Sequence, residues 1–525
     1  MKLQELLSST TAESAKYIGQ IFSLRSSSDY RSLKKLFEQN RFEAKSFEDS
    51  ILDALTFDWQ SLERDRNWWW QLQAMPFLNW YINSFHLQTE EERFRYFSHC
   101  LQAIHCWIKN AKQNKNSPLA WHDHATAFRV RNLSNWLAFC HFAGLKISEE
   151  NLAQPLAELI IEHLDWLEID KNYSKHTNHG FDQAMIVLTV SLIYAHDEFK
   201  RFRLISRERL KGEIYFAFTR EGVHKENSPG YQKMMLGRLR QLLVLSCLGE
   251  QDISELGGGY IRKAEEFLRA ITLPNGCLPM IGDTRSQDEG LAYEQKEKVD
   301  VLDYSASGYF IVRGVDALGK DFFILLKSAH ESNYHRHDDD MMIFVYYDGE
   351  VVFGDGGLYK YDESDEKRKF FRSIWAHSVP FVDHKAIRQR EHLKKTPILA
   401  RVGELAFEME STMFGVQLIR TVEVSIIPSL NLKIFDRGSC DEVVGANFYL
   451  EKKVPLSVGV GHLNLQFSQF QVDFFYEGES FSCYEGWSDE LKSIGAIVSK
   501  EYGVTSNAMR FVVASAEKSI RFQCF

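Results

Sequence analysis

The spacing of the apolar residues changes once along the chain, and this change constrains the fold more than any other feature. Up to about residue 275 they recur every three or four positions, as in LAELIIEHLDWLEI, which is the period of an amphipathic helix. After a turn-rich stretch come short runs of Val, Ile, Phe and Tyr separated by glycine turns, as in DFFILLKS and MMIFVYYDG. The sequence therefore predicts an α+β protein with a helical half followed by an antiparallel β half.

The chain is long enough for two domains. It has 525 residues, and single hydrophobic cores stop growing at about 250–300 residues. We expect a helical domain over residues 1–290 and a β domain over residues 300–525, with the junction near 285–300. Roughly ten or more helices fit the first part, and helices in such numbers can pair around a ring. The strand spacing of the second part is typical of a sandwich.

Charge and cysteine content exclude some classes of protein. A net charge of -10 and a pI near 6.0 argue against a nucleic-acid partner, because phosphate neutralisation needs clustered Lys and Arg. The eight cysteines are scattered without a CxxC pair, which favours a reduced chain over a disulfide framework or a zinc ribbon. Aromatic residues make up 13% of the chain and could stack on flat ligands such as sugars.

Neither a membrane span nor a secretion signal is apparent. The longest apolar run, AMIVLTVSLIYA, is too short to cross a bilayer. The first twenty residues lack the continuous apolar core of a signal peptide. As written, the chain is expected to be soluble and cytoplasmic with no membrane partner, and periplasmic or secreted if a leader has been removed.

Three stretches of the helical half carry polar residues suited to a binding cleft. TNHGFDQAMIVL places Asn178 and His179 at the entrance to a helix, and Tyr231 follows the turn Ser228–Gly230. The stretch AWHDHATAFRVRNLSNWL adds Trp121, Arg129 and Asn132 near the start of another helix. Taken one at a time, these stretches are more often structural. They would then be an ordinary helix N-cap, a packed tyrosine and an exposed arginine face.

The β half contains a cluster of potential metal ligands in NYHRHDDDMM. His335 and His337 are two positions apart, so on a strand both side chains would face the same side. Asp355 arrives on a following strand, and His377 lies in SIWAHSVPFVD. Two imidazoles and a carboxylate from neighbouring strands suit Zn²⁺ or a similar cation. A solvated charged turn is the alternative for HDDD.

These motifs occur together and in order, and the set resembles the heparinase II/III-like superfamily of polysaccharide lyases. The shared pattern is NHG, SPGY, GDT, SGYF, HxHDDD, DGGLYKY and RxFFRSxxAHSVPFVD. The resemblance covers most of the chain and is strongest over residues 305–385. It implies an incomplete (α/α) toroid followed by an antiparallel β-sandwich, with the active cleft between them.

The resemblance also implies an activity. It is the cleavage of a uronic-acid-containing acidic polysaccharide by β-elimination, with a glycosaminoglycan such as heparan sulfate, hyaluronan or chondroitin as the expected substrate. By resemblance, Asn178 and His179 engage the uronate carboxyl group, Tyr231 acts as acid and also as base, and His335 is the partner acid or base. Arg129 is our candidate for a salt bridge to the acidic sugar, since a guanidinium can grip a carboxylate with two hydrogen bonds.

The same resemblance implies a metal site and shows two departures. It identifies His337, Asp355 and His377 as ligands of a divalent cation, expected to be zinc, and leaves Asp338–Asp340 in a supporting role. Gln232 stands where relatives often carry His, and Ser378 stands where Asn is usual. These departures leave the substrate subclass open.

Several functions remain open on the sequence alone. One alternative is a lyase acting on alginate or on a bacterial capsule or exopolysaccharide. Another is a non-catalytic polysaccharide-binding protein of an exopolysaccharide pathway, which the expected cytoplasmic location and Gln232 favour. A hydrolase would need two carboxylates flanking the scissile bond, and none of the motifs supplies an obvious pair.

Overall fold

The protein is described by a computed structural model. The residues that it describes are 2–21, 26–60, 64–147, 150–286, 288–293, 298–328, 331–383, 398–439, 443–490, 495–515 and 519–525. Helices dominate the first part of the chain and antiparallel strands the second, as the change in apolar spacing predicts. The mixed helix-and-sheet architecture is therefore confirmed.

The helices follow one another closely up to residue 271, and one short helix lies among the strands. Their bounds are α1 Leu3–Ser8, α2 Ala12–Ile21, α3 Ser26–Gln39, α4 Arg66–Gln73, α5 Phe77–Ser84, α6 Glu90–Asn110, α7 Asp123–Phe142, α8 Glu150–Glu168, α9 Asn178–Ile193, α10 Lys200–Ala217, α11 Pro229–Val244, α12 Gln251–Ile271 and α13 Glu366–Arg372.

All strand pairs within the described ranges are antiparallel. Their bounds are β1 Arg41–Phe42, β2 Ser50–Ile51, β3 Asp300–Tyr304, β4 Tyr309–Val315, β5 Asp321–Lys327, β6 Met342–Tyr347, β7 Glu350–Phe353, β8 Pro380–Val382, β9 Ile398–Arg401, β10 Ala406–Ser411, β11 Leu418–Ser425, β12 Asn431–Gly438, β13 Val444–Leu450, β14 Leu456–Gly459, β15 His462–Gln466, β16 Gln471–Glu477, β17 Ser480–Glu485, β18 Ile497–Glu501, β19 Val504–Asn507, β20 Met509–Ser515 and β21 Ser519–Cys524.

The chain forms two compact units. The helical unit comprises Met1–Ala217 and Arg238–Gly259, and the strand unit comprises Phe218–Gly237 and Tyr260–Phe525. Within the predicted junction, residues 287 and 294–297 lie outside the described residues. The domain boundaries 1–290 and 300–525 stay predictions.

Two helices form the centre of the helical unit. Helices α7 and α9 are buried around almost their whole circumference. Their sequences explain this, because the run FDQAMIVLTVSLI of α9 is apolar on all sides and a helix of that kind must be enclosed by others. Asn178 and His179 are the first two residues of this enclosed helix, so its packing fixes their backbone.

Among its described residues, the strand unit contains three sheets of four or more strands. A five-stranded meander runs in the order β3-β4-β5-β6-β7, an eight-stranded sheet in the order β14-β15-β16-β21-β12-β11-β10-β9, and a four-stranded sheet in the order β17-β20-β13-β8. Phe448 of β13 packs against Phe474 and Phe522 of the eight-stranded sheet, with ring centroids 4.9 and 5.0 Å away. A core of phenylalanine rings therefore joins the four- and eight-stranded sheets.

A buried ion pair ties this core to the loops that carry the histidines. Arg420 and Asp436 are register partners on β11 and β12, fully buried, and joined by two hydrogen bonds of 2.7 Å. Arg420 Nη1 also donates to the carbonyls of Met341 and Ser378 at 3.1 Å. Met341 lies shortly after the HRHDDD stretch and Ser378 follows His377, so one guanidinium holds both loops.

Two further expectations concern cysteines and membranes. The seven described cysteines are free thiols, and Cys440 lies outside the described residues. No helix within the described ranges is long and apolar enough to cross a membrane.

Replacing Arg420 by methionine should destabilise the strand unit strongly. The substitution keeps an unbranched apolar stem but leaves the Asp436 carboxylate buried without its counter-charge, which costs about 3–5 kcal/mol. We expect urea denaturation, followed by tryptophan fluorescence, to show a loss of this size in the free energy of unfolding.

The control is Arg521→Met on the neighbouring strand β21. The Arg521 side chain is 68% exposed and lies 4.0 Å from Glu477. An exposed ion pair of this kind contributes about 0–1 kcal/mol. Equal losses in the two variants would contradict the role assigned to the buried pair.

Candidate active site and metal group

Three side chains from three segments of the strand unit meet at one point. Tyr231 is the third residue of α11, which begins at Pro229, a residue well suited to the first position of a helix. Its ring stacks on His335 with the ring centroids 3.8 Å apart and an interplanar angle of 25°. Its hydroxyl lies 3.1 Å from the hydroxyl of Tyr361, whose ring edge faces His335. The structure thus brings the predicted residues Tyr231 and His335 into contact.

The surroundings of Tyr231 keep its phenol protonated. Burial of the hydroxyl, with the neighbouring Tyr361 and Asp283, raises the pKa of Tyr231 well above its ordinary value of 10. At neutral pH this side chain is therefore suited to donate a proton.

The stretch that carries His335 and His337 is a loop and not a strand. The prediction that both histidines alternate along a strand is wrong, because residues 331–341 form turns and bends that precede β6. His335 has a φ of 52°, in the left-handed region that strands do not use. The two side chains instead contact the same residue, Asp283.

Asn227 fixes this loop relative to Tyr231. Its side-chain amide donates to the carbonyls of Ser332 and Tyr334, at 2.8 and 3.0 Å. Asn227 stands two residues before Pro229, at the start of the segment that leads into α11. The residue just before His335 is therefore held by the same turn that places Tyr231.

Asp283 contacts both histidines. Its Oδ2 lies 2.6 Å from His335 Nδ1, and its Oδ1 lies 2.9 Å from His337 Nε2. Arg368 donates to the same two oxygens at 2.6 and 3.0 Å. Burial opposes ionisation, but the Arg368 charge and the hydrogen bonds from His335 and His337 hold the pKa of this carboxyl well below its ordinary value. Asp283 is therefore a buried carboxylate that accepts hydrogen bonds from both rings.

His337, Asp355 and His377 form a group able to hold a metal ion. All three side chains are fully buried, and each offers one ligand atom within 4.8 Å of the others. Asp355 and His377 face each other across an isolated antiparallel bridge, and Asp355 Oδ2 lies 2.8 Å from His377 Nδ1. The three predicted ligands are therefore adjacent.

The hydrogen bonds around this group test whether it fits a cation. In the part of the chain that the structure describes, His337 Nδ1 and His377 Nε2 are buried and have no hydrogen-bond partner. Burial lowers the pKa of His337, although Asp283 opposes this, so its ring is neutral. Asp283 accepts from Nε2, so the lone pair of the neutral ring lies on Nδ1. A buried imidazole nitrogen with a free lone pair is the donor that a divalent cation binds.

The three consecutive aspartates have other partners. Asp339 lies 2.5 Å from Lys327 Nζ, and Asp340 accepts from Arg336 and from the hydroxyl of Ser411. The backbone N–H of Asp338 donates to the Arg372 carbonyl. These contacts agree with the supporting role expected for Asp338–Asp340.

In the helical unit, Asn178 and His179 open helix α9. The hydroxyl of the N-cap residue Thr177 accepts from the N–H of Gly180 at 3.0 Å. Glycine is required after His179, because a Cβ at position 180 would lie 2.3 Å from the Ser174 carbonyl oxygen. The N-cap and this close approach together fix where the two predicted residues point.

A carboxylate orients His179. Its Nδ1 lies 3.0 Å from Asp123 Oδ2, and its ring stacks on His124 with the centroids 4.1 Å apart. Burial acts in the opposite direction, but hydrogen bonds from His122 and His179 lower the pKa of Asp123 below its ordinary value. About one third of the His179 side chain is exposed, so the ring is held by one nitrogen and remains accessible.

Arg129, Trp121 and Asn132, the predicted substrate-binding residues, differ in how far they are buried. Arg129 is 0% exposed, and it donates to His163 Nε2 at 2.7 Å and to the Gln73 carbonyl at 2.9 Å. The predicted salt bridge from Arg129 to an acidic sugar does not fit this burial, because its N–H groups bond inside the helical unit. Asn132 is also buried, with its amide bonded to the Ala74 carbonyl, while Trp121 is partly exposed.

Sequence reasoning assigned no role to six residues of these sites. They are Asp123, Glu226, Asn227, Asp283, Tyr361 and Arg368. Asp283 stands within the motif GDT and Tyr361 within DGGLYKY, and both are flanked by residues that favour tight turns. For Asp283, the signal that could have drawn attention to it is a carboxylate directly after the apolar run LPMIG.

Comparison with known proteins assigns the chain to a family. Residues 20–305 match the model of a family described as heparinase II/III N-terminus. No curated protein sequence gives a match.

Solved structures share the fold at low sequence identity. A structure of heparinase III is 14% identical over 95% of this chain and 85% of that chain, with a TM-score of 0.71. A heparan sulfate lyase mutant from Pedobacter heparinus is 15% identical over 94% and 82%, with a TM-score of 0.63. A chondroitin AC lyase from Streptomyces coelicolor A3, in complex with chondroitin sulphate, is 9% identical over 98% and 82%, with a TM-score of 0.56.

Metal binding should depend on His337 and not on His335. We expect the purified protein to bind one equivalent of Zn²⁺, and His337→Ala to abolish this binding because it removes one of three ligands. His335→Ala removes a ring that is outside the ligand group and should retain the metal. Elemental analysis after dialysis measures both variants, and loss of the metal from His335→Ala alone would contradict the assignment.

Proposed function

Because the chain belongs to the heparinase II/III family of polysaccharide lyases, we propose that it cleaves a uronate-containing acidic polysaccharide by β-elimination. A glycosaminoglycan such as heparan sulfate, hyaluronan or chondroitin is the proposed substrate. The observation that carries the proposal is the stacked pair of Tyr231 and His335, which places a proton donor against a ring able to accept a proton. The likeness in fold to heparinase III and to the chondroitin AC lyase supports it.

The reaction requires three tasks next to the uronate. A base removes the proton on C5, the C–H electrons form the C4–C5 double bond, and the C4–O bond breaks. An acid supplies a proton to the leaving glycosidic oxygen. Hydrogen bonds to the uronate carboxyl group stabilise the negative charge that develops as C5 loses its proton.

We assign the acid to Tyr231 and the base to His335. The raised pKa of Tyr231 keeps its phenol protonated until the leaving oxygen takes that proton. Asp283 accepts from His335 Nδ1, which leaves Nε2 as the nitrogen that receives the C5 proton. The Glu226 carboxylate lies 3.6 Å from Nε2 and would stabilise the imidazolium that forms. The Tyr361 hydroxyl, 3.1 Å from the Tyr231 hydroxyl, would orient it.

We assign the uronate carboxyl group to Asn178 and His179. An amide and an imidazole can both donate hydrogen bonds to a carboxylate. Asp123 fixes the His179 ring through Nδ1, so its other nitrogen is the one available to a ligand. Arg129 and Asn132 are proposed to support this end of the helical unit from within, and the partly exposed Trp121 to contact a sugar ring.

The metal group and the domain arrangement complete the proposal. His337, Asp355 and His377 would hold a divalent cation, with zinc proposed from the two imidazoles and one carboxylate. Bound there, the cation would supply a fixed positive charge that orders the loops around it. An incomplete (α/α) toroid over residues 1–290 and an antiparallel β-sandwich over residues 300–525 are proposed from the likeness to heparinase III.

The activity is tested on a panel of polymers. We expect ultraviolet absorbance to rise on at least one of heparan sulfate, hyaluronan, chondroitin sulfate, alginate and a bacterial exopolysaccharide, since elimination creates an unsaturated uronate. Tyr231→Phe should lower kcat by about 10²–10⁴-fold, because it removes the proton donor. Tyr334→Phe is the control, since Tyr334 lies in the same loop as His335 and its side chain is half exposed.

The other outcomes identify the rival functions. A rise on alginate or on the exopolysaccharide alone would correct the substrate class but keep the reaction. Binding to a polymer without any rise in absorbance, unchanged by Tyr231→Phe, would replace the lyase by a non-catalytic binding protein. Equal activity of Tyr231→Phe and Tyr334→Phe would contradict the assignment of the acid.

A further inference from the structure

One carboxylate connects the two groups of the strand unit. Asp283 Oδ2 bonds to His335, which stacks on Tyr231, and Asp283 Oδ1 bonds to His337, which belongs to the metal group. His335 and His337 use different nitrogens for these contacts, Nδ1 in one and Nε2 in the other. The orientations of the two rings are therefore not independent of each other.

The carboxylate itself cannot move freely. Asp283 is 0% exposed in its side chain, and a buried carboxylate is costly unless it is paired and hydrogen-bonded. Arg368 pairs with it through two N–H groups and also donates to the Leu358 carbonyl at 2.8 Å. Gly282, with a φ of 54° and a Cβ position only 3.0 Å from the Asn227 carbonyl oxygen, lets the backbone beside Asp283 approach the Asn227 turn. The side chain of Asp283 is thus held by Arg368.

We propose that Asp283 is a positioning residue that couples the metal group to the Tyr231–His335 pair. It orients the His337 ring so that Nδ1 faces a cation, and it orients the His335 ring against Tyr231. Because Arg368 holds the carboxylate, removing one ring leaves the other in place, whereas altering Asp283 changes the orientation of both rings. The part that concerns His335 rests on the proposed lyase activity, whereas the part that concerns His337 does not.

Neighbouring carboxylates do not offer the same connection. Asp339 pairs with Lys327, and Asp340 pairs with Arg336 and Ser411. Each of these pairs supports the loop without a hydrogen bond to either ring among the described contacts. The coupling is accordingly assigned to Asp283 alone.

The test compares two buried carboxylates that are each paired with arginine. Asp283→Asn keeps the shape of the side chain, but an amide offers an acceptor to only one of the two ring nitrogens. Glu250→Gln is the control, because the Glu250 side chain is 3% exposed and is bonded by Arg203 and Arg207 in the helical unit. Both variants weaken a buried ion pair, and only the first removes a contact to the histidines.

Three measurements separate positioning from general destabilisation. Titration of the metal-free protein with Zn²⁺ should show affinity about 10–100-fold weaker in Asp283→Asn, the usual effect of removing a group that orients a ligand. The visible absorption spectrum of the Co²⁺-loaded protein should change in the same variant, because it reports ligand geometry. On the polymer that the wild type cleaves, kcat should fall by about 10²-fold with KM retained, as expected for a misplaced reacting group.

The control and a second variant keep the test decisive. Glu250→Gln should lose thermal stability but retain the Zn²⁺ affinity, the Co²⁺ spectrum and kcat. If Asp283→Asn does not fold, Asp283→Glu keeps the charge but displaces the carboxylate by one methylene, and it should show the same three changes. Wild-type Zn²⁺ affinity and Co²⁺ spectrum in a folded Asp283 variant would overturn the inference.

Failure of the coupling and failure of the proposed function give different results. If no polymer is cleaved by the wild type, the lyase proposal fails, while the Zn²⁺ and Co²⁺ measurements still decide the effect on His337. If the wild type is active and Asp283→Asn loses metal affinity with an unchanged kcat, the coupling to His335 is refuted and the function stands.

Discussion

The buried pair between Asp283 and Arg368 is the interaction on which the arrangement of the strand unit's site depends. A carboxylate with no exposed surface is stable only because the guanidinium binds both oxygens and two imidazoles donate to them as well. Removing any one of these donors leaves the charge of the Asp283 carboxylate incompletely compensated. The same pair that stabilises the fold therefore also sets the geometry of the histidines, so stability and chemistry share one structural element.

The sequence predicted which segments form helices and strands better than it predicted the backbone conformation of the loops. Helical spacing and short apolar runs predicted the helices and the strands correctly, because these patterns reflect burial of one face, which is a local property of the chain. The three members of the metal group were predicted by resemblance and lie together. The strand alternation expected for His335 and His337 failed, because a φ of 52° at His335 cannot be read from the residue type.

The unpredicted features all depend on contacts between residues distant in the chain. Asp283 meets His335 across 52 positions and Arg368 across 85. Arg129 resembled an exposed cation for sugar binding, but its bonds to the Gln73 carbonyl and to His163 place it inside the helical unit. A single sequence shows that a polar residue is present in an apolar stretch, but the partner that satisfies it appears only in the fold.

The region around the proposed acid and base also contains residues with strained backbone conformations. Asn227 and His335 are non-glycine residues with φ values of 61° and 52°, and Tyr359, in the segment between Asp355 and Tyr361, has a φ of 60°. Such conformations are costly and persist only where surrounding contacts determine them. Here the contacts are the Asn227 amide on the loop before His335 and the Arg368 guanidinium on the Leu358 carbonyl. The strain is thus maintained by the hydrogen bonds that position the proposed acid and base, which is the arrangement expected of a preorganised site.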